Sequence, residues 1–184
     1  MARIDPVDYA KATGEVRKAF DEGLAKWGRM TNMKRTLLHS MPSYRALMEW
    51  YPLFDAIKPF LGERLAIIFA HAISAETDCL ICTTFMRRIL ANWGENPNEL
   101  KLDETGVLLV AFGRAIAHEG NRVPDELYNK LAERFTAEQL VALTAFAGLM
   151  VATNIVNNVL QVDLDEYLHE YREDITGKGV KHGT

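Results

Sequence analysis

The sequence is poor in the features that mark several large protein classes. It has only two cysteines in 184 residues, too few for a disulfide-stapled fold. It has no excess of basic charge: 21 Lys and Arg stand against 25 Asp and Glu, a net charge of −4, which argues against nucleic acid as a partner. Its five histidines, at 39, 71, 118, 169 and 182, show no ligand-pair spacing, and two cysteines supply half of a tetrahedral zinc site, so neither a metal nor an organic cofactor is expected. No alternating apolar run is bounded by hairpin turns, no Asn-Gly turn occurs, and the six prolines fall mostly at the edges of apolar-periodic stretches. No apolar run reads as a membrane span, and residues 1–18 lack the apolar core of a signal peptide. The expectation is a cytoplasmic protein without a membrane partner.

What is present is ordinary for a soluble domain, with 48% hydrophobic and 25% charged residues. A chain of this length suits a single domain over residues 1–184 and can bury roughly 70% of its unfolded surface. Apolar residues recur at helical spacing, and the fold class is all-α. A first helix is predicted from Asp5-Pro6 to about Trp27, ended by Gly28. Met30 to Ser40 reads as a connector with a short helix, and Met41-Pro42-Ser43 opens a helix toward Pro59. From Leu65 to Ile73 eight of nine residues are apolar, with His71 the only polar side chain, so this is the core helix. Ser74 to Asp78 interrupts the pattern, and Cys79 through Trp93 resumes it. Further helices are predicted at about Asp103–His118, from Val123-Pro124 to Phe135, and from a capping box at Thr136 and Gln139 to about Leu160. The tail, 175–184, has little to bury and reads as flexible.

The two cysteines are Cys79 and Cys82, a spacing that two randomly placed residues adopt in about one case in a hundred. On a helix, residues three apart share a face, so a reversible dithiol is geometrically reasonable. With Asp78 or Thr77 capping the helix, Cys79 falls in its first turn, where unpaired backbone N–H groups stabilise a thiolate. Arg87 and Arg88 would favour the thiolate if folded toward it, whereas Glu76 and Asp78 oppose it, and the charges alone do not fix the sign. The alternative is a pair of inert core cysteines.

The segment Ser74-Ala75-Glu76-Thr77-Asp78-Cys79-Leu80-Ile81-Cys82, following an apolar helix, resembles the carboxymuconolactone decarboxylase and alkylhydroperoxidase D superfamily. The stretch from Thr31 through His39 to Pro42, the pair Val123–Tyr128 and Phe135–Leu140, and Asn154-Ile155-Val156-Asn157-Asn158 extend the resemblance over about 30–165. It implies an alkylhydroperoxidase D-like helical bundle that assembles as a homo-oligomer (dimer, trimer or hexamer). It also implies a peroxidatic Cys82 that attacks a small hydroperoxide, a resolving Cys79, and a dithiol reductant such as a lipoyl- or thioredoxin-like protein. Members with this chemistry carry a glutamate twelve residues before the first cysteine and a histidine four after the second; Ile67 and Met86 stand there in this chain.

Two nearby groups are candidates for the missing proton relay: Glu76, against a solvated carboxylate at the helix boundary, and His71, against a hydrogen-bonded core histidine. His118 reads as a helix-end cap, Asn154 and Asn158 as bonds between helices, and Tyr44, Trp50, Tyr51, Phe54 and Phe60 as core more than pocket. Three functions compete: a thiol peroxidase, a lactone decarboxylase of the other branch of the superfamily, and a non-enzymatic oligomeric redox sensor.

Overall fold

A computed structural model describes residues 2–118 and 120–172. Among these residues there are eight α-helices and no strands. They are α1 (Gly14–Trp27), α2 (Asn32–Leu37), α3 (Met41–Met48), α4 (Trp50–Glu76), α5 (Leu80–Asn92), α6 (Glu104–Ala117), α7 (Asp125–Ala132) and α8 (Ala137–Leu160). Short 3-10 segments lie at Tyr9–Lys11 and Glu166–Tyr171. The tail at 175–184 lies outside the described residues.

The expected core helix is the C-terminal part of α4, and α5, α6 and α8 pack around it. Ala66, Phe69, Ala70 and Ile73 have no solvent exposure, as the nearly continuous apolar run requires. Phe69 stacks on Phe112 of α6 and Phe146 of α8, each at 6.1 Å between ring centroids. Gly113 permits the close approach of α6: a Cβ there would lie 3.0 Å from Ile73 and 3.1 Å from Phe69. A second apolar cluster joins α1, α2 and α3 through Phe20, Leu37, Leu38 and Leu47. Its partners on α8 are Leu149, Ala152 and Val156.

Two helix boundaries differ from those the sequence predicts. The first helix is split: the 3-10 turn ends before Thr13, and α1 begins at Gly14 with φ of +55°. The helix opened by Met41 stops at Met48, and a new one starts at Trp50, with Glu49 between them at φ −62° and ψ −8°; Trp50 stacks on Phe54 and leans on Phe146. The helical stretch from Trp50 to Glu76 leaves helical geometry at Gly62, with φ of +75° and ψ of 156°, so the break expected between the helix toward Pro59 and the core helix from Leu65 is present, at a residue without Cβ. At the other end of the chain, the capping box of α8 forms as expected, with Thr136 and Gln139 satisfying each other's backbone N–H groups.

α8 also modifies one expectation from the sequence. By length and composition it is apolar enough to cross a membrane. Its inward positions, however, include Leu143, Phe146, Ala147, Asn154 and Asn157, all buried against the rest of the bundle.

Candidate functional site

The turn between α4 and α5 holds the two cysteines. Thr77 closes α4, its hydroxyl donating to the carbonyls of Ile73 and Ser74. Asp78 follows in the left-handed region with φ of +50°, and the chain returns so that Cys79 N donates to Ser74 O at 3.0 Å. Neither Asp78 nor Thr77 is the cap of α5; Cys79 itself is the N-cap residue. Its side chain makes no capping hydrogen bond, but the backbone N–H groups of Ile81 and Cys82 at the start of the helix favour negative charge on its sulfur.

α8 clamps this turn with three asparagines. Asn154 Nδ2 donates to Thr77 Oγ1 at 2.8 Å, and Asn158 Nδ2 donates to the Thr77 carbonyl at 2.7 Å. These are the interhelical bonds expected of that pair. Between them, Asn157 Nδ2 reaches both sulfurs, 3.7 Å from Cys79 Sγ and 3.4 Å from Cys82 Sγ. Asn157 is buried and its Oδ1 has no hydrogen-bond partner. In the sequence Asn157 stands inside the resembling stretch Asn154–Asn158 with no role of its own. Its signal was the spacing of three asparagines on one face of an otherwise apolar helix.

Both cysteines are free thiols, and their environments differ. Cys79 has no exposed surface, whereas Cys82 is 7% exposed and lines a cavity. The Cys82 thiol donating to it is the main reason the pKa of Cys79 falls to about 7. Burial opposes this, while the backbone N–H groups of Cys82 and Ile81 and the Asn157 amide add to it. The Cys82 pKa is pushed up, first because its proton is engaged by Cys79 and then by burial. The two thiols are coupled, so the first proton leaves the pair as a unit, and the directions of the two shifts, down at Cys79 and up at Cys82, favour the anion at Cys79.

The other predicted groups sit elsewhere. Glu76 Oε1 lies 3.1 Å from His118 Nδ1, and His118 is the C-cap of α6. His71 is half-buried on α4, and neither it nor Glu76 lines the Cys82 cavity. Arg87 is turned to Asn98 Oδ1 and the Tyr171 carbonyl, and Arg88 to the Tyr167 ring, so neither arginine folds toward the sulfurs. Ile67 is buried in the core, and Met86 lines the cavity. Of the aromatic candidates, Trp50 and Tyr51 line the cavity; Tyr44 and Phe54 are buried, and Phe60 packs on Phe135.

The cavity has a volume of about 100 Å³. Met33, Trp50, Phe85, Met86 and Met150 give it an apolar wall, with Cys82 on one side and Lys34 and Asp165 among its few polar groups. No group of three or more His, Cys, Asp or Glu able to hold a metal occurs among the described residues.

No family model matches the sequence, and no curated protein matches it. Solved structures do match. An alkylhydroperoxidase AhpD core, an uncharacterised peroxidase-related protein from Ralstonia eutropha JMP134, superposes with a TM-score of 0.73 at 19% identity, over 91% of this chain and 94% of that one. A peroxidase-related protein from Silicibacter sp. TM1040 gives 0.72 at 14% identity, over 90% and 94%. The debrominase Bmp8, solved as a cysteine-to-alanine variant with 2,3,4-tribromopyrrole, gives 0.75 at 16% identity, over 91% and 94%. The fold thus serves more than one activity. The chain has the all-helical fold of the alkylhydroperoxidase AhpD core.

Proposed function

We propose that the protein is a thiol-dependent peroxidase that reduces small organic hydroperoxides through Cys79 and Cys82. The observation that carries this reading is the division of labour at the pair: Cys79 is buried with its pKa brought to about 7, while Cys82 faces the cavity with its proton engaged by Cys79. Cys79 then acts as the base that the Ile67 and Met86 positions lack. As the Cys82 sulfur attacks the terminal oxygen of the hydroperoxide, the O–O bond breaks and the Cys82 proton passes to the Cys79 thiolate. From there it goes to the departing alkoxide, giving the alcohol and a sulfenic acid on Cys82. The regenerated Cys79 thiolate attacks that sulfur, the disulfide forms, and hydroxide leaves to become water. The Asn157 amide, within reach of both sulfurs, stabilises negative charge on either during these steps. A dithiol donor, of lipoyl or thioredoxin type, returns the pair to the reduced state.

The test is a single turnover. Reduced protein mixed with cumene hydroperoxide is expected to lose both thiols together, and Cys82→Ser is expected to lose this reaction entirely. Full retention of hydroperoxide consumption by Cys82→Ser overturns the reading. The same proposal includes a homo-oligomer in the cytoplasm. Val141, Ile155 and Val159 on α8 are exposed by 69%, 54% and 54%, and a second copy is the partner proposed to cover them. Light scattering is expected to show a smaller particle for Ile155→Glu than for the unmodified protein.

A further inference from the structure

The cavity beside Cys82 has a polar end that the dithiol chemistry does not use. Lys34, on α2, is 4% exposed and lines the cavity. Its ammonium sits over the faces of Trp27 and Tyr51, 3.4 and 5.1 Å from the ring centroids, and no oxygen accepts a hydrogen bond from it among the described residues. Asp165, in the segment after α8, is 9% exposed and lines the same cavity. Its Oδ1 accepts from Asn32 N at 2.8 Å, which fixes the carboxyl group in place. Its Oδ2 is buried without a hydrogen-bond partner. A buried acceptor without a hydrogen-bond partner and an ammonium held only by ring faces thus share one small apolar cavity, where an unmade hydrogen bond is costly.

We propose that this cavity binds a small apolar molecule through one acidic hydroxyl, a carboxylic acid or a phenol, whose oxygen accepts from Lys34 and whose proton bonds to Asp165 Oδ2. The proposal deepens the peroxidase reading and rests on it: the substrate becomes a hydroperoxide that carries such a group, with its peroxide directed to Cys82. An acidic hydroxyl satisfies both orphan groups at once, because it offers one acceptor and one donor. A plain hydrocarbon leaves both unmade, and a second cation would meet Lys34. Size agrees: benzene fills a closed apolar cavity of about 150 Å³, and this one, at about 100 Å³ and open on one side, takes a body of that class. The charge states agree as well. Burial raises the Asp165 pKa, which favours a proton held between two carboxyl groups, and burial lowers that of Lys34 to about 7 while Asp165 opposes the change.

The test is an NMR titration of the reduced full-length protein with benzoic acid, phenol and toluene, none of which is a peroxide. Failure of acid recognition and failure of hydroperoxide turnover are therefore read separately. At least one of the two acids is expected to bind about tenfold more tightly than toluene, the effect of one hydrogen bond to a charged group. It is also expected to slow alkylation of Cys82, and the acid that wins identifies the headgroup. Asp165→Asn and Lys34→Met are each expected to bring the ratio of acid to toluene affinity to about one within the same variant, with saturable toluene binding showing that the cavity is still formed. Equal binding of all three compounds, no saturable binding of any, or a preference for acid that survives in both variants overturns the proposal.

Discussion

Cys79 and Asp165 are both acids with almost no solvent exposure, 0% and 9%, and burial pushes both pKa values up, yet their net shifts run in opposite directions. Cys79 is brought down to about 7, and Asp165 is raised from its ordinary carboxylate value. The difference lies in the number of donors. Cys79 receives the Cys82 thiol, two backbone N–H groups and the Asn157 amide, which together outweigh desolvation. Asp165 receives one backbone N–H, from Asn32, and its cationic neighbours Arg35, Arg29 and Lys34 do not make up the remainder. Burial sets the cost of charge, and the count of donors sets its sign. A site organised to hold an anion and a site organised to hold a proton thus sit on different elements of one small bundle.

The comparison breaks most directly at Asn157. Asn157→Leu keeps the volume and removes a donor from a buried thiolate, a loss of about 1.5–3 kcal/mol. Thiol alkylation at pH 7 is expected to fall about tenfold or more, and its pH midpoint to rise above about 7. A variant that keeps both the rate and the midpoint removes the amide from the account.

Lys34 sharpens the contrast from the cationic side. Its folded pKa of about 7 lies below the ordinary 10.5, so between these values the unfolded chain binds more protons and stability rises with pH. Cys79, lowered from 9.0 to about 7, acts in the same direction between pH 7 and 9, its contribution being lost as pH falls through about 7. Urea unfolding is therefore expected to show a gain from pH 7 to pH 9. Lys34→Met is expected to add about 1 kcal/mol at pH 7, because a buried charge is removed, and to flatten that gain. The smallest effect belongs to Asp165→Asn. Asp165 is what holds the Lys34 pKa up, so its neutral replacement lowers that pKa further, read from the lysine Cε resonance, at a stability change under about 1 kcal/mol.

The dithiol was legible in the sequence because it is local: two cysteines three apart, after an apolar helix and a run of small polar residues, define a helix start without any tertiary information. The seat of Trp50 against Phe146 was not, since it depends on α8, far along the chain. Asn154 and Asn158 were read as interhelical bonds, but which of the three asparagines meets sulfur depends on how α8 lies across α5. Lys34 carried no signal at all. A lysine in a six-residue helix reads as solvated, and its burial arises from Trp27, Tyr51 and Asp165, which come from three other segments. Glu76 was marked by proximity in sequence to Cys79, yet α6 reaches it first through His118.

The central claim is that the charge rests on buried Cys79 while Cys82 keeps its proton and faces the cavity. A pH titration of the two cysteine Cβ resonances in reduced, carbon-13-labelled protein tests it directly. The account predicts a first transition at about pH 7 with its larger shift at Cys79, and a second, well above 9, dominated by Cys82. A first transition dominated by Cys82, or no ionisation of either thiol below the ordinary value of about 8.5, would contradict it.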